Sequence, residues 1–320
     1  MASPGKKRIL AAVDGSEQAR EAVRYLSRIL PADQAEIVLL CICEKISEHF
    51  WDLDKDNILR HKALQIRAWE CHQQQCLKEY MDQTEQILLD AGFPSESVTV
   101  IQQEKKEGIA RDIIAESRNE FHAVVVGRSG VSNLKDLVIG SVANKIVERL
   151  AGIPLWVVGG TPGPGKILVC MDTSEGAMKS VDHVASMLDG SEVEVSLFHA
   201  VRTFDFFSRS KAKGSVRIGD ESGIFAEGLG SADRAVSQAF KEAKRRLVAA
   251  GMKPENINAR IVKGVSSRVA AILAEAKRGE YGTIVVGRRK GLCKMENFFM
   301  GRVSSKMMQV AKNCAVWIVS

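Results

Sequence analysis

Along the chain, short runs of Val, Ile, Leu and Ala alternate with longer stretches in which apolar residues recur every three or four positions. In the first half, RILAAVD predicts a strand, and SEQAREAVRYLSRIL a helix with Ser16 at its cap. AEIVLLCIC predicts the second strand, and a helical segment follows from about Asn57 to Ala91. SVTVIQQ and the helix IARDIIAESRN come next, then AVVVG, the helix VANKIVERLA and the strand PLWVV. Strands alternating with helices predict a parallel sheet covered on both faces. The strand runs are continuously apolar rather than alternating, as burial on both faces requires.

The pattern then recurs. KRILAAVDGSEQAREAV near the start is answered by KILVCMDTSEGAMKSV from 166, with Asp14, Ser16, Glu17 and Val23 matching Asp172, Ser174, Glu175 and Val181 at one offset. HAVVVGRSG (122–130) is answered by GTIVVGRRKG (282–291), and PLWVV (154–158) by AVWIV (315–319). Between the copies stands GGTPGPGK (159–166), a Gly/Pro-rich connector. The expectation is two tandem doubly wound α/β domains, 1–162 and 163–320.

Composition adds little to the fold. At 45% apolar and 26% charged residues, the chain is an ordinary globular one. MASPGKKRIL lacks the apolar core of a secretory signal, and IVLLCIC (37–43) is too short to cross a bilayer. Seven scattered cysteines fit free thiols in a reducing compartment. A cytoplasmic protein with no membrane span is therefore expected. Charge is uneven: residues 1–162 hold 20 Lys+Arg against 23 Asp+Glu, and residues 163–320 hold 25 against 16. A basic half can attract nucleic acid, anionic lipid or nucleotides, and charge alone does not choose among them.

The chemistry-bearing stretch is VVVGRSGVSNLKDLVIGSV (124–142). Glycines let backbone N–H groups approach a ligand, and successive N–H groups form an anion-attracting concavity. Glycines also end strands where no ligand exists. In a doubly wound sheet, ligands sit beyond the carboxyl ends of the strands where the strand order reverses. Asp14, ending the first strand, and Gly127, ending the fourth, would flank that crevice. Gly140-Ser141 would open the next helix with N–H groups turned to a phosphate.

These residues carry a resemblance. VDGSE after the first strand, then G-x2-G-x9-G-S after the fourth, resembles the universal stress protein family, and the tandem layout resembles its two-domain members. The resemblance implies five parallel strands in the order 3-2-1-4-5, domains paired through their fifth strands, and ATP, with Mg²⁺, in the crevice. It also implies that Asp14 meets the adenosine end, and that Gly127, Gly130, Gly140 and Ser141 meet the phosphates with Arg128 and Val142 alongside. The second copy departs from it. Three residues separate Gly287 from Gly291, and Arg302 replaces the serine, so either this site is degenerate or Arg288, Arg289, Lys290 and Arg302 form another anion site.

Other clusters are weaker. Asp52, Asp54 and Asp56 resemble the start of a calcium loop, but Asn57 and Ala63 stand where Gly and Glu belong. Cys71, His72 and Cys76 read as core packing and chance, Cys41 and Cys43 as small buried apolar groups, and Trp156 and Trp317 as packing in the domain interface. Residues 203–234 read as an irregular loop or lid, although Phe204, Phe206 and Phe207 before a basic run could touch a membrane or single-stranded nucleic acid. No nucleophile elbow, zinc-protease helix or Walker loop is present. The expected function is an ATP-binding stress-response regulator without dedicated catalysis, nucleotide being held mainly by the first domain. It would use an unidentified protein partner, homodimerisation is compatible with it, and nucleic acid is not expected. A nucleotide-independent scaffold and a slow ATPase are the alternatives.

Overall fold

The computed structural model describes residues 5–44, 57–129, 139–163, 165–202, 221–288 and 302–320. Two compact units divide the chain, Met1–Thr161 and Pro162–Ser320.

The first unit runs β1 (Lys7–Val13), α1 (Glu17–Ile29), β2 (Ala35–Cys43), α2 (Asn57–Asp90), β3 (Val98–Glu104), α3 (Ile109–Glu116), β4 (Ala123–Gly127), α4 (Ser141–Arg149) and β5 (Leu155–Val158). Its strands are all parallel, in the order β3-β2-β1-β4-β5. The order reverses at β1 and β4, where Ala12 registers with Val126. Central strands are solvent-free on both faces: Ile9, Leu10, Val38, Leu39, Val124 and Val125 are all fully buried. Their continuous apolar runs are the direct cause, since neither face could tolerate water-seeking side chains.

The second unit repeats this with β6 (Lys166–Cys170), α5 (Glu175–Met187), β7 (Glu194–Val201), α6 (Glu221–Ala249), β8 (Ile257–Lys263), α7 (Arg268–Arg278), β9 (Thr283–Gly287), α8 (Arg302–Val310) and β10 (Ala315–Val319). The order is β8-β7-β6-β9-β10, again parallel throughout. Equivalent details recur: Ser16 and Ser174 cap α1 and α5 through their hydroxyls, accepting from Ala19 and Ala177 N–H. Trp156 and Trp317 are fully buried, and His183 of the second unit meets Trp317 edge-on at 5.6 Å.

One expectation fails here. Residues 221–234, read from sequence as part of an irregular loop, belong to α6. Gly223, Gly228 and Gly230 disfavour a helix locally, because each glycine costs a helix about 1 kcal/mol relative to alanine. The helix spans 29 residues and its later turns bury Val236, Phe240, Ala243 and Leu247, so packing outweighs the local preference. The remainder of that stretch, with Phe204, Phe206 and Phe207, lies outside the described residues.

Candidate functional site

In the first unit the crevice is built at the carboxyl ends of β1 and β4. Asp14 follows β1 and is exposed; its Oδ1 accepts from Ser16 N–H at 3.1 Å and from the Ser16 hydroxyl at 2.5 Å. The Ser16 hydroxyl oxygen accepts in turn from Ala19 N–H, so one short chain of bonds fixes the carboxylate and starts α1. Tyr80, on α2, donates its hydroxyl to the Ser16 carbonyl at 3.0 Å and ties the long helix to the same turn. Burial, the largest effect, raises its pKa to about 12. The Arg20 guanidinium lies 4.8 Å from the centre of its ring.

Continued two residues, the β1–β4 register sets Asp14 level with Arg128. Arg128 is buried, and its backbone N–H donates to the Val158 carbonyl at 2.8 Å. Its own carbonyl accepts from Gly140 N–H at 2.8 Å, which draws the start of α4 to the end of β4. Gly127, Arg128, Gly140, Ser141 and Val142 are thereby brought to one edge of the sheet beside Asp14. The N–H groups of Arg128 and Gly140 are spent on these bonds, leaving those of the first turn of α4 to face outward. Ser141 is exposed and Val142 half-buried. Gly130 lies outside the described residues.

The two described glycines differ in what they need. A Cβ on Gly127 would sit 3.2 Å from Ala19 N and from the Gln18 carbonyl, so the first turn of α1 would have to give by a few tenths of an ångström to admit one. Gly140 has φ −55° and ψ 146°, a conformation open to any residue, and provides no side-chain cap to α4. Nor does α4 carry an acidic residue in its first turn, whereas α1 has both a serine cap and Glu17. Among the described residues, neither a cap nor a first-turn acid offsets the positive end of the α4 dipole, which fits an anion such as a phosphate.

In the second unit, Arg288 N–H donates to the Val319 carbonyl at 2.6 Å, as Arg128 does to Val158. The Arg288 side chain is buried, and burial lowers its pKa. Gly287 and Gly176 press together: a Cβ on Gly287 would lie 2.4 Å from the Gly176 carbonyl oxygen. Arg302 is the first residue of α8, with its side chain outside the described set; Arg289, Lys290, Gly291 and Gly301 lie outside it entirely. At the carboxyl ends of β6, β7 and β9 opens a cavity of about 1170 Å³, bordered by Asp172, His199, Arg202, Arg268 and Lys306. Sequence reading passed over the last four. Aligning the copies residue by residue exposes the difference, since Cys41, Glu44 and Ile109 stand where His199, Arg202 and Arg268 do.

The weaker clusters resolve more simply. Cys71, His72 and Cys76 are exposed on α2, not packed in a core, with Cys76 Sγ 3.7 Å from His72 Nε2. Among the described residues no three or more His, Cys, Asp or Glu side chains are grouped to hold a metal ion. Asp52, Asp54 and Asp56 lie outside the described residues. Cys41 is buried and its Sγ is 3.9 Å from that of half-buried Cys43; burial first, then Cys43, pushes the Cys41 thiol up to about 12. The six described cysteines are all free. No described helix is long and apolar enough to cross a membrane.

Comparison with known proteins agrees with the architecture. The profile of the universal stress protein family matches the chain twice, over residues 6–159 and 164–320. The crystal structure of a universal stress protein from Archaeoglobus fulgidus is similar with a TM-score of 0.60 and 18% identity, over 98% of this chain and 98% of that one. A functionally unknown protein from Pseudomonas aeruginosa gives 0.54 and 17%, over 98% and 92%. At such identities these structures speak for the fold alone. No curated protein sequence matches the chain. With the family profile matched in both halves, and the 3-2-1-4-5 parallel sheet present in the first unit and repeated in the second, this chain belongs to the universal stress protein family.

Proposed function

We propose that the protein is a cytoplasmic stress-response regulator that binds ATP, carried with Mg²⁺, in the crevice of its first unit. The observation that carries this reading is the start of α4: a glycine that the backbone does not require, no side-chain cap and no acid in the first turn, drawn against the end of β4 beside Asp14. Phosphates would take the N–H groups of Ser141 and Val142 and the Ser141 hydroxyl. Asp14, already oriented by Ser16, would accept from ribose hydroxyls. Gly127 and Arg128 would form the floor beneath them. The bound nucleotide would supply charge and shape to a surface. Free cysteines throughout the described chain favour a reducing compartment.

Native mass spectrometry of the full chain with Mg-ATP tests the proposal. ATP should bind, and Gly140→Val should weaken binding by about tenfold or more, as expected when a branched side chain displaces a charge-assisted contact. The thermal melt of that variant should be nearly unchanged. Unaltered ATP affinity in Gly140→Val would refute the cradle, and no binding at millimolar ATP would favour a nucleotide-independent scaffold.

A further inference from the structure

The second unit's cavity is not a copy of the first unit's crevice. Its volume, about 1170 Å³, exceeds the roughly 300–1,000 Å³ of typical small-molecule pockets, so a phosphorylated metabolite fits with water to spare. Among the described residues that border it are three cations, Arg202 at the end of β7, Arg268 at the start of α7 and Lys306 on α8, and one carboxylate, Asp172. Guanidinium and ammonium groups at one lip suit a phosphate monoester, which is close to a dianion at neutral pH. Hydroxyls come from Thr173, Ser174, Ser266, Ser267, Ser304 and Ser305, and the floor is apolar with Phe198, Ile272 and Val286.

The equivalent positions of the first unit carry a different chemistry. Both α3 and α7 begin from a defined cap, Gly108 and Ser267, so Ile109 and Arg268 occupy the same first helical position. The strand registers Arg8↔Glu36 and Lys166↔Glu194 likewise set Glu44 against Arg202 and Cys41 against His199. Two of the three cations thus stand where the first unit has an acid and an isoleucine. Arg268 also sits badly for its own helix. A cation at a helix N-terminus opposes the dipole, and α7 has no acid in its first turn to offset it. An anion in the cavity would supply the missing partner charge.

Around the cations the polar groups are held in place. Asp172 Oδ1 accepts from Ser174 N–H at 2.9 Å and from the Ser174 hydroxyl, so the carboxylate is aimed at the lip of the cavity. His199 donates from Nδ1 to the Met171 carbonyl at 2.6 Å, which makes Nε2 the acceptor of the neutral ring. Fixed carboxylate and imidazole acceptors together with hydroxyls suit a polyol, as three cations suit its phosphate. We propose that this cavity binds a phosphate monoester of a small polyhydroxylated molecule, a sugar phosphate in class, through Arg202, Arg268 and Lys306. The assignment does not rest on nucleotide binding by the first unit.

Calorimetric titration of the full chain with ribose 5-phosphate is the test, with ribose and inorganic phosphate as comparison probes. One ribose 5-phosphate per chain is expected, bound about tenfold or more tighter than either comparison probe. The double variant Arg268→Ala/Lys306→Ala should weaken it by a similar factor of about ten or more, and Arg202→Ala should weaken it independently. Gly140→Val should leave it unchanged, whatever happens to ATP, which separates the fate of this site from that of the first. Thermal melts of the variants should match the wild type, since all three side chains are exposed. Absence of binding at millimolar probe would overturn the assignment. So would undiminished binding by the double variant, inorganic phosphate binding as tightly as the ester, or a loss confined to Gly140→Val.

Discussion

A methyl group added to Gly127 would meet the backbone of Gln18 and Ala19 at 3.2 Å, and one added to Gly287 would meet the Gly176 carbonyl oxygen at 2.4 Å. Backbone cannot swing aside as a side chain can, so α1 or α5 must retreat from the sheet. Overpacking of this kind costs about 1–3 kcal/mol, and Gly127→Ala should destabilise within that range in urea denaturation. Gly287→Ala, with the closer approach, should cost more; equal or negligible losses would mean that the helices ride easily. Gly140 is the contrasting case, because neither its dihedral angles nor a cap bond requires a glycine. In the sequence the glycines of GRSG and IGS look alike. Both packing and ligand approach select for a missing Cβ, so the motif located the crevice without separating residues that build it from residues that would line it. His199 and Arg268 were invisible for another reason: each belongs to no motif, and only the fold gathers them around one cavity.

At the scale of elements, α3 and α7 do the same job with different starts. Ser267 caps α7 from outside, accepting from Ala270 N–H, whereas α3 is held from within by Asp112. The Asp112 carboxylate accepts from Lys106 N–H at 2.8 Å and Glu107 N–H at 3.1 Å. Burial raises its pKa, but bonds from Lys106, Glu107 and Gly108 outweigh that, and the net effect holds the carboxyl below its ordinary value. A carboxyl with a depressed folded pKa stabilises above its unfolded value and loses that contribution as pH falls through the folded one. Asp112→Ala should therefore lower the melting temperature at neutral pH, with the gap from wild type closing below about pH 4. A gap that persisted into acid would assign the loss to packing instead. The elements themselves were largely legible, because apolar runs flanked by Ser16 or Gly127 give strand and helix ends little choice. The exceptions are instructive: glycines hid the first turns of α6, and the Cys71–Cys76 stretch of α2 was read as core although it is exposed.

Over the whole molecule, residues 1–162 carry a net charge of −3 and residues 163–320 a net +9. Binding that depends on side-chain cations at an exposed lip is screened by salt, and at about 1 M the screening length shrinks to about 3 Å. Ribose 5-phosphate affinity should thus fall several-fold between low and high salt, measured by the same titration, while the melting temperature stays nearly level. Salt-independent affinity would place the binding energy in the hydroxyls and the apolar floor. The tandem layout was the most legible feature at this scale, since one offset aligns Asp14, Ser16, Glu17 and Val23 with their counterparts. How far the crevices had diverged was not, because Glu44 and Arg202 are unremarkable until the matching strand registers of the two units make them equivalent positions. The Gly/Pro-rich connector at 159–166 has a consequence for dosage. An assembly of identical single-domain chains must change every crevice when it changes one. Here each copy can be altered alone, yet every ribosome that finishes the chain delivers both in a ratio of one to one, whatever the level of expression.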